Sequence, residues 1–270
     1  MMEYWNKTTT SKHMLILVSN DDGYMAKGVA RLSEWLSRYG EVVSVCPSTP
    51  QSGMSMAITV NRLLHINRLP SENGVTRYMV DGTPADCVKI AMHTILRDRR
   101  PDLVVTGINH GSNAAVNVLY SGTMGAAMEG CAFGIPSIGF SLTDHDPDAD
   151  FEPCRPYVEK IVEAVAKHGL PDGLCLNVNI PDIDHVPAGM RVARACAGHW
   201  SDEYVAVTEA DGSTAYRLEG EFINDEPDMC DTDLWCLDNE TVSVVPVLLE
   251  RTAPAKDLPL WLRELGKEEK

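Results

Sequence analysis

Basic residues, aromatic residues and long apolar runs are all scarce in this chain of 270 residues. Lysine and arginine number 23 against 39 aspartates and glutamates, giving a formal net charge of -16 and a pI near 4.8. No Lys/Arg block offsets that surplus, which argues against binding to a nucleic-acid polymer. A small phosphorylated substrate stays compatible, because one metal ion reverses the local sign of an acidic site. No stretch approaches the roughly 20 apolar residues of a membrane span, and Met1 to His13 lack the apolar core of a signal peptide. A soluble, cytoplasmic protein with no membrane partner is expected. The eight cysteines include no Cys-x-x-Cys pair and lie mostly in apolar stretches such as Val45-Cys46, so they read as small core residues in a reducing compartment. Gly-x-Ser-x-Gly is absent, the histidines lack zinc-motif spacing, and the five tryptophans form no stacking array, so no base-stacking pair stands out.

What is present is a run, Leu15-Ile-Leu-Val-Ser-Asn-Asp-Asp-Gly23, that stops at two adjacent carboxylates. Met14 to Val18 are continuously apolar, the pattern of a strand buried on both faces, so Asp21 and Asp22 follow a strand's carboxyl end. Val29, Leu32, Leu36 and Tyr39 make a helical stripe, Val42 to Cys46 a second strand, and Pro47 to Met56 a Ser/Pro/Gly loop. Ala57 to Leu69 reads as an extended, partly alternating segment. Thr83 is placed to cap a helix with Pro84 at its first position and Asp86 at its third. Leu103 to Thr106 is a third buried strand, Thr123 to Phe133 a Gly/Ala-rich helix and Pro136 to Phe140 a fourth strand. Arg155 to Lys167 forms a helix and Leu174 to Ile180 a fifth strand. This βαβα rhythm predicts an α/β fold with a mainly parallel sheet. Residues 14–182 are the expected catalytic core. Residues 183–270 form a β-rich region, with Arg191–Ala197, Tyr204–Thr208, Ala215–Leu218 and Thr241–Val247 extended and a short helix at Leu258–Leu265.

Three strand-end loops carry oxygen ligands: Asp21 with Asp22, Ser52, and Asn109 with Asn113. If the first and third strands are neighbours, as in a flavodoxin-like sheet, these loops meet over one crevice. Carboxylates, a hydroxyl and an amide carbonyl form a hard oxygen set suited to one divalent cation, Mg²⁺ or Mn²⁺. Tyr120-Ser121-Gly122-Thr123 opens a helix whose free N–H groups and dipole suit a phosphate. Read singly, Asp-Asp-Gly is also a turn and Ser-Gly-Thr also a helix cap. His110 reads as a general acid or as a surface loop residue.

Together these motifs resemble the SurE (survival protein E) family of metal-dependent nucleotidases. The matching pieces are Val18-Ser-Asn-Asp-Asp-Gly23, Gln51-Ser-Gly53, Asp81-Gly-Thr-Pro-Ala-Asp86, Pro101 to Asn109, Gly111-Ser-Asn113, Tyr120-Ser-Gly-Thr123 and Glu129-Gly130. Thr232-Asp233 and Ser243-Val-Val-Pro246 look like its late signature. Cys46-Pro-Ser48 stands where the family commonly has Ala-Pro-Asp, and Trp235 stands near where many relatives carry a histidine. The resemblance implies a Rossmann-like three-layer sandwich with a C-terminal arm exchanged in a homodimer or homotetramer. It implies a cation held by Asp21, Asp22, Ser52 and Asn109; of these, Asp21 is read as the residue nearest the attacking water, as base or nucleophile. Asn113, Ser121, Gly122 and Thr123 then line the phosphate side, with Asn20 and Gly53 as further substrate-binding candidates. The implied reaction is hydrolysis of nucleoside 5′- and 3′-monophosphates. A broader phosphatase or exopolyphosphatase, and a nucleotide-binding module without catalysis, are the alternatives.

Overall fold

Strand β1 (Met14–Ser19) lies at the centre of the molecule, and its alternate side chains enter two different cores. Ile16 and Val18 pack on one face with α1 (Lys27–Leu36) and α4 (Arg155–His168), through Leu32, Leu36, Val158 and Val162. Leu15 and Leu17 pack on the other with α2 (Pro84–Ile90) and α3 (Gly122–Ala132), through Cys87, Val88 and Ala126. A run buried on both faces has no polar alternation, which is why it is legible as a central strand. The computed structural model describes residues 13–187, 189–254, 259 and 262. The helix expected at Leu258–Leu265 lies outside the described residues except at 259 and 262.

Six parallel strands run in the order β4 (Val75–Val80), β2 (Gly40–Pro47), β1, β5 (Leu103–His110), β6 (Ser137–Leu142), β7 (Leu174–Ile180). Antiparallel β3 (Ile66–Glu72) closes one edge against β4. At the other edge β13 (Val242–Leu248) runs antiparallel to β7, with β8 (Met190–Val192) parallel beyond it. Helices cover both faces of this nine-stranded sheet, and two small antiparallel pairs stand apart. These are β10 (Tyr204–Thr208) with β11 (Thr214–Leu218), and β9 (Gly198–Ser201) with β12 (Glu221–Asn224).

Two expectations need correction. β1 and the strand Leu103–His110 are neighbours, as the crevice requires, but the sheet is not flavodoxin-like. Val75–Val80 forms an additional parallel strand outside β2, giving the six-strand order with three strands on each side of the reversal. Its Thr76, Arg77 and Tyr78 are half-buried, so no continuous apolar run marks it. Of the segment Arg191–Ala197, only residues up to Val192 are strand. From there the chain turns toward α5 (Asp233–Asp238), a short helix capped by the Thr232 hydroxyl, which accepts the Trp235 N–H at 3.2 Å. Asp233 is fully buried and accepts N–H groups from Ala115 at 2.8 Å and Cys196 at 2.9 Å, tying the late Thr-Asp pair to the central part of the chain.

All eight cysteines are unpaired thiols and seven are buried, as small core residues would be. Among the described residues no helix is long and apolar enough to cross a membrane.

Candidate active site at the carboxyl edge of β1 and β5

The reversal of strand order between β1 and β5 leaves a crevice above their carboxyl ends, and the loops that follow these strands are tied together across it. The Gln51 N–H donates to the Asp21 carbonyl at 2.7 Å, which fixes the loop after β2 against the loop after β1. The His110 N–H donates to Asp22 Oδ2 at 3.3 Å, joining the end of β5 to the same point. The Ser55 N–H donates to the Tyr120 carbonyl at 3.0 Å and joins the second loop to the start of α3. That approach is close: a Cβ on Gly125 would lie 1.9 Å from the Ser55 carbonyl oxygen.

The loop after β2 is also held from below. Thr83 and Asp86 form a reciprocal capping box at the start of α2, with the Asp86 N–H donating to Thr83 Oγ1 at 3.1 Å and the Thr83 N–H to Asp86 Oδ2 at 3.0 Å. Asp86 further accepts the Thr59 N–H at 3.0 Å, and the Thr83 hydroxyl donates to the Ala57 carbonyl at 2.6 Å. The sequence placed the cap correctly; its second task, anchoring the Ser52 loop, depends on a contact 27 residues away.

Asp21 is 4% exposed, and the Thr123 hydroxyl donates to its Oδ1. Burial pushes its carboxyl up from 3.8 to about 6; the Thr123 hydrogen bond opposes the rise and the Asp22 charge adds to it. Burial also raises Asp22. Neither carboxylate has a cationic partner among the described residues. Asn20 is fully buried and donates from Nδ2 to the Gly23 carbonyl at 2.9 Å, while its Oδ1 has no partner among the described residues. Asn109 donates from Nδ2 to the Gly111 carbonyl at 2.8 Å, leaving its Oδ1 as an available acceptor. Ser52 and Gly53 are exposed on the loop that Gln51 anchors.

α3 begins beside the carboxylates. Ser121 caps it, its hydroxyl accepting the Met124 N–H at 3.0 Å, so the N–H groups of Gly122 and Thr123 fall in the first turn, where the helix itself supplies no acceptor. Asn113 lies farther along the sheet. Its Nδ2 donates to Ser141 Oγ at 2.8 Å, its N–H to Asn179 Oδ1 at 2.7 Å, and its carbonyl accepts Asn177 Nδ2 at 2.8 Å. The side chain therefore belongs to a buried amide network. Ser141, Asn177 and Asn179 escaped the sequence reading; the signal for them is polar residues at alternate positions of otherwise apolar strands. His110 is half-buried, its ring edge-on to Phe151 at 5.0 Å, and burial lowers its pKa. Burial thus favours the neutral imidazole, and the backbone N–H of this residue is what meets Asp22.

The donors suit a hard cation. Among the described residues no group of three His, Cys, Asp or Glu side chains is arranged around one point, so two carboxylates must be completed by neutral oxygens and water. That is the usual mode for Mg²⁺, which keeps several waters and takes one or two carboxylates. A buried and a half-buried carboxylate, both unneutralised and beside an orphaned amide oxygen, fit such an ion.

Residues 16–202 match the family described as Survival protein SurE. A 5′-nucleotidase SurE of Bacteroides fragilis is 49% identical, the match covering 90% of this chain and 94% of that protein. One of Flavobacterium psychrophilum is 47% identical over 88% of this chain and 93% of its own length. The crystal structure of the SurE protein from Aquifex aeolicus superposes with a TM-score of 0.76 at 34% identity, covering 88% of this chain and 94% of that one. With the same α/β architecture and a family match over most of its length, this chain belongs to the SurE family.

Proposed function

We propose that this chain is a metal-dependent phosphomonoesterase of the 5′-nucleotidase type, releasing phosphate from nucleoside 5′- and 3′-monophosphates. The observation that carries this reading is the adjacent pair of buried Asp21 and half-buried Asp22, without a cationic partner among the described residues, set against the first turn of α3. The relatives from Bacteroides fragilis and Flavobacterium psychrophilum are named as 5′-nucleotidases, which supports the same substrate class.

Asp21, Asp22, Ser52 and Asn109 are the residues that would hold a divalent cation, Mg²⁺ or Mn²⁺. When bound, such an ion supplies positive charge to a phosphoryl oxygen and acidifies a coordinated water. The N–H groups of Gly122 and Thr123, with the α3 dipole, bind the remaining phosphoryl oxygens. Thr123 holds Oδ1 of Asp21 through its hydroxyl, which orients the carboxylate toward the attacking water. Asp21 is the carboxylate placed to accept that water's proton. Positioning and charge complementarity are the main contributions a protein makes to phosphoryl transfer, because the loose transition state needs little covalent help. All ten of these and the other candidate residues, including Asn20, Gly53, Asn113 and Ser121, fall within 14–182, the proposed catalytic core. The region 183–270 is proposed to carry assembly into a homodimer or homotetramer.

The test is phosphate release from 5′- and 3′-nucleoside monophosphates and p-nitrophenyl phosphate, with Mn²⁺, Mg²⁺ or EDTA. Release from nucleotides that EDTA abolishes is the expected result. Release from p-nitrophenyl phosphate alone would make the protein a general phosphatase, and nucleotide binding without release in any metal would make it a binding module.

A further inference from the structure

A cleft of about 690 Å³ opens directly beside the candidate phosphate cradle, and its lining differs from that of the crevice. Gly53 and Tyr120 form one side, each adjacent in sequence to a candidate site residue, Ser52 and Ser121. Trp200 and Tyr204, from β9 and the start of β10, line the other. The sequence showed no base-stacking pair, yet the fold collects three aromatic side chains here. It does so by returning the chain over 83 residues: Trp200 Nε1 donates to Asn117 Oδ1 at 3.0 Å, three residues before Tyr120. Phe222 packs edge-on against the indole at 5.7 Å, so the ring is held from two sides before any ligand arrives.

The charged lining is acidic. Glu203 has no side-chain partner among the described residues, and Glu219 is paired with Arg217. A cleft of this charge repels a polyphosphate chain or any second anionic group. It accepts a flat, neutral, hydrogen-bond-donating ring: aromatic walls stack it, and a carboxylate takes the protons of an exocyclic amino group. The volume is within the range that holds a drug-sized ligand, ample for a nucleoside.

We propose that this cleft is the nucleobase subsite, where Trp200, Tyr204 and Tyr120 stack the base. Glu203 accepts a hydrogen bond from its amino group, which favours guanine, adenine and cytosine over uracil and thymine. The proposal rests on the phosphomonoesterase reading above and assigns the base specificity of that reaction. Gly53 and Tyr120 line the cleft and adjoin Ser52 and Ser121 in sequence, which is the argument for one ligand with its phosphate at Ser121–Thr123 and its base in the cleft.

The test is initial-rate kinetics with the 5′-monophosphates of guanosine, adenosine, cytidine and uridine, each run on the wild-type protein, Trp200→Ala, Tyr204→Ala and Glu203→Ala. Inhibition by inorganic phosphate serves as the control for an intact cradle and fold. Stacking of a base on an aromatic side chain is worth a factor of about 5 to 150, so Trp200→Ala should raise KM for 5′-GMP by about tenfold or more. The inorganic phosphate inhibition constant should stay unchanged. Tyr204→Ala, at a residue 66% exposed, should raise KM in the same direction and covers the case in which Trp200→Ala does not fold. Glu203→Ala removes the acceptor and should lower the GMP-to-UMP ratio of kcat/KM by about tenfold, the worth of one good base contact. Unchanged KM in both aromatic variants, or an unchanged ratio in Glu203→Ala, overturns the subsite while leaving the reaction class standing. A wild-type protein that releases phosphate from no nucleotide overturns the phosphomonoesterase reading itself, and the subsite with it.

Discussion

A Cβ placed on Gly122 would stand 2.7 Å from the Cβ of Asp21 and 2.9 Å from its Oδ2. The start of α3 and the end of β1 are therefore in contact through a position that only glycine fills without displacement. Gly122→Ala asks nothing unusual of the backbone, since the residue is helical, but it must move the carboxylate or the helix start by several tenths of an ångström. Misplacement of reacting groups by about 1 Å costs on the order of 100-fold in rate. We expect kcat for 5′-AMP to fall about tenfold or more, with far-UV circular dichroism unchanged and an overpacking cost of about 1–3 kcal/mol in urea unfolding. Wild-type turnover in this variant would remove Asp21 from the reacting geometry.

Asp22 tests the cation reading from the other side. Its side chain receives a single 3.3 Å bond from the His110 N–H, so little structure depends on it. Asp22→Ala should lose Mn²⁺ binding measured by titration calorimetry, and with it metal-dependent phosphate release, while the metal-free protein unfolds at the wild-type temperature or above. Retained Mn²⁺ affinity would sink the proposed ligand set.

The residues that were legible in the sequence share one property: their neighbours in space are close in sequence or their environment is uniform. Met14 to Val18 announce a central strand because both faces of it are buried, and Thr83, Pro84 and Asp86 announce a helix start because a cap is a four-residue device. Asp21 and Asp22 could be placed at a strand end for the same reason. β4 was not legible, since half-buried Thr76, Arg77 and Tyr78 interrupt its apolar pattern, and with it went the strand order. The Trp200 cleft and the Asn113 network were hidden by distance along the chain: Asn117 meets Trp200 across 83 residues, and Asn113 meets Asn179 across 66.

That network is itself a prediction. Asn179 accepts the Asn113 N–H at 2.7 Å and donates to Asn177 Oδ1 at 3.2 Å, all in fully or nearly fully buried surroundings. Asn179→Ala leaves the Asn113 N–H and an Asn177 oxygen without their partners. An orphaned buried donor or acceptor costs about 1–3 kcal/mol. Urea denaturation should register that loss, and the loop carrying Asn109 to Asn113 should exchange its amide hydrogens faster. A variant as stable as the wild type would mean that water takes over these bonds.

Asp21 makes the metal-free protein's stability depend on pH in an unusual direction. A carboxyl raised from 3.8 to about 6 by folding binds its proton more tightly in the native state than in the unfolded one. Between those two values the native state holds more protons, so stability falls as pH rises through the window and stays low above it. The rise corresponds to about 3 kcal/mol at neutral pH. Asp21→Asn retains an oxygen to accept the Thr123 hydroxyl but cannot ionise, so the variant should be the more stable protein at pH 7 without metal. The difference in unfolding free energy between it and the wild type should grow from pH 4 to pH 6 and then level off. Asp22 is present in both proteins and enters that difference through its charge, which adds to the rise of Asp21. Saturating Mn²⁺ should reverse the order at pH 7, because an ion that binds only the folded wild type stabilises it by mass action. A difference that is flat across this window would show that the carboxylate is already relieved of its burial by some other group.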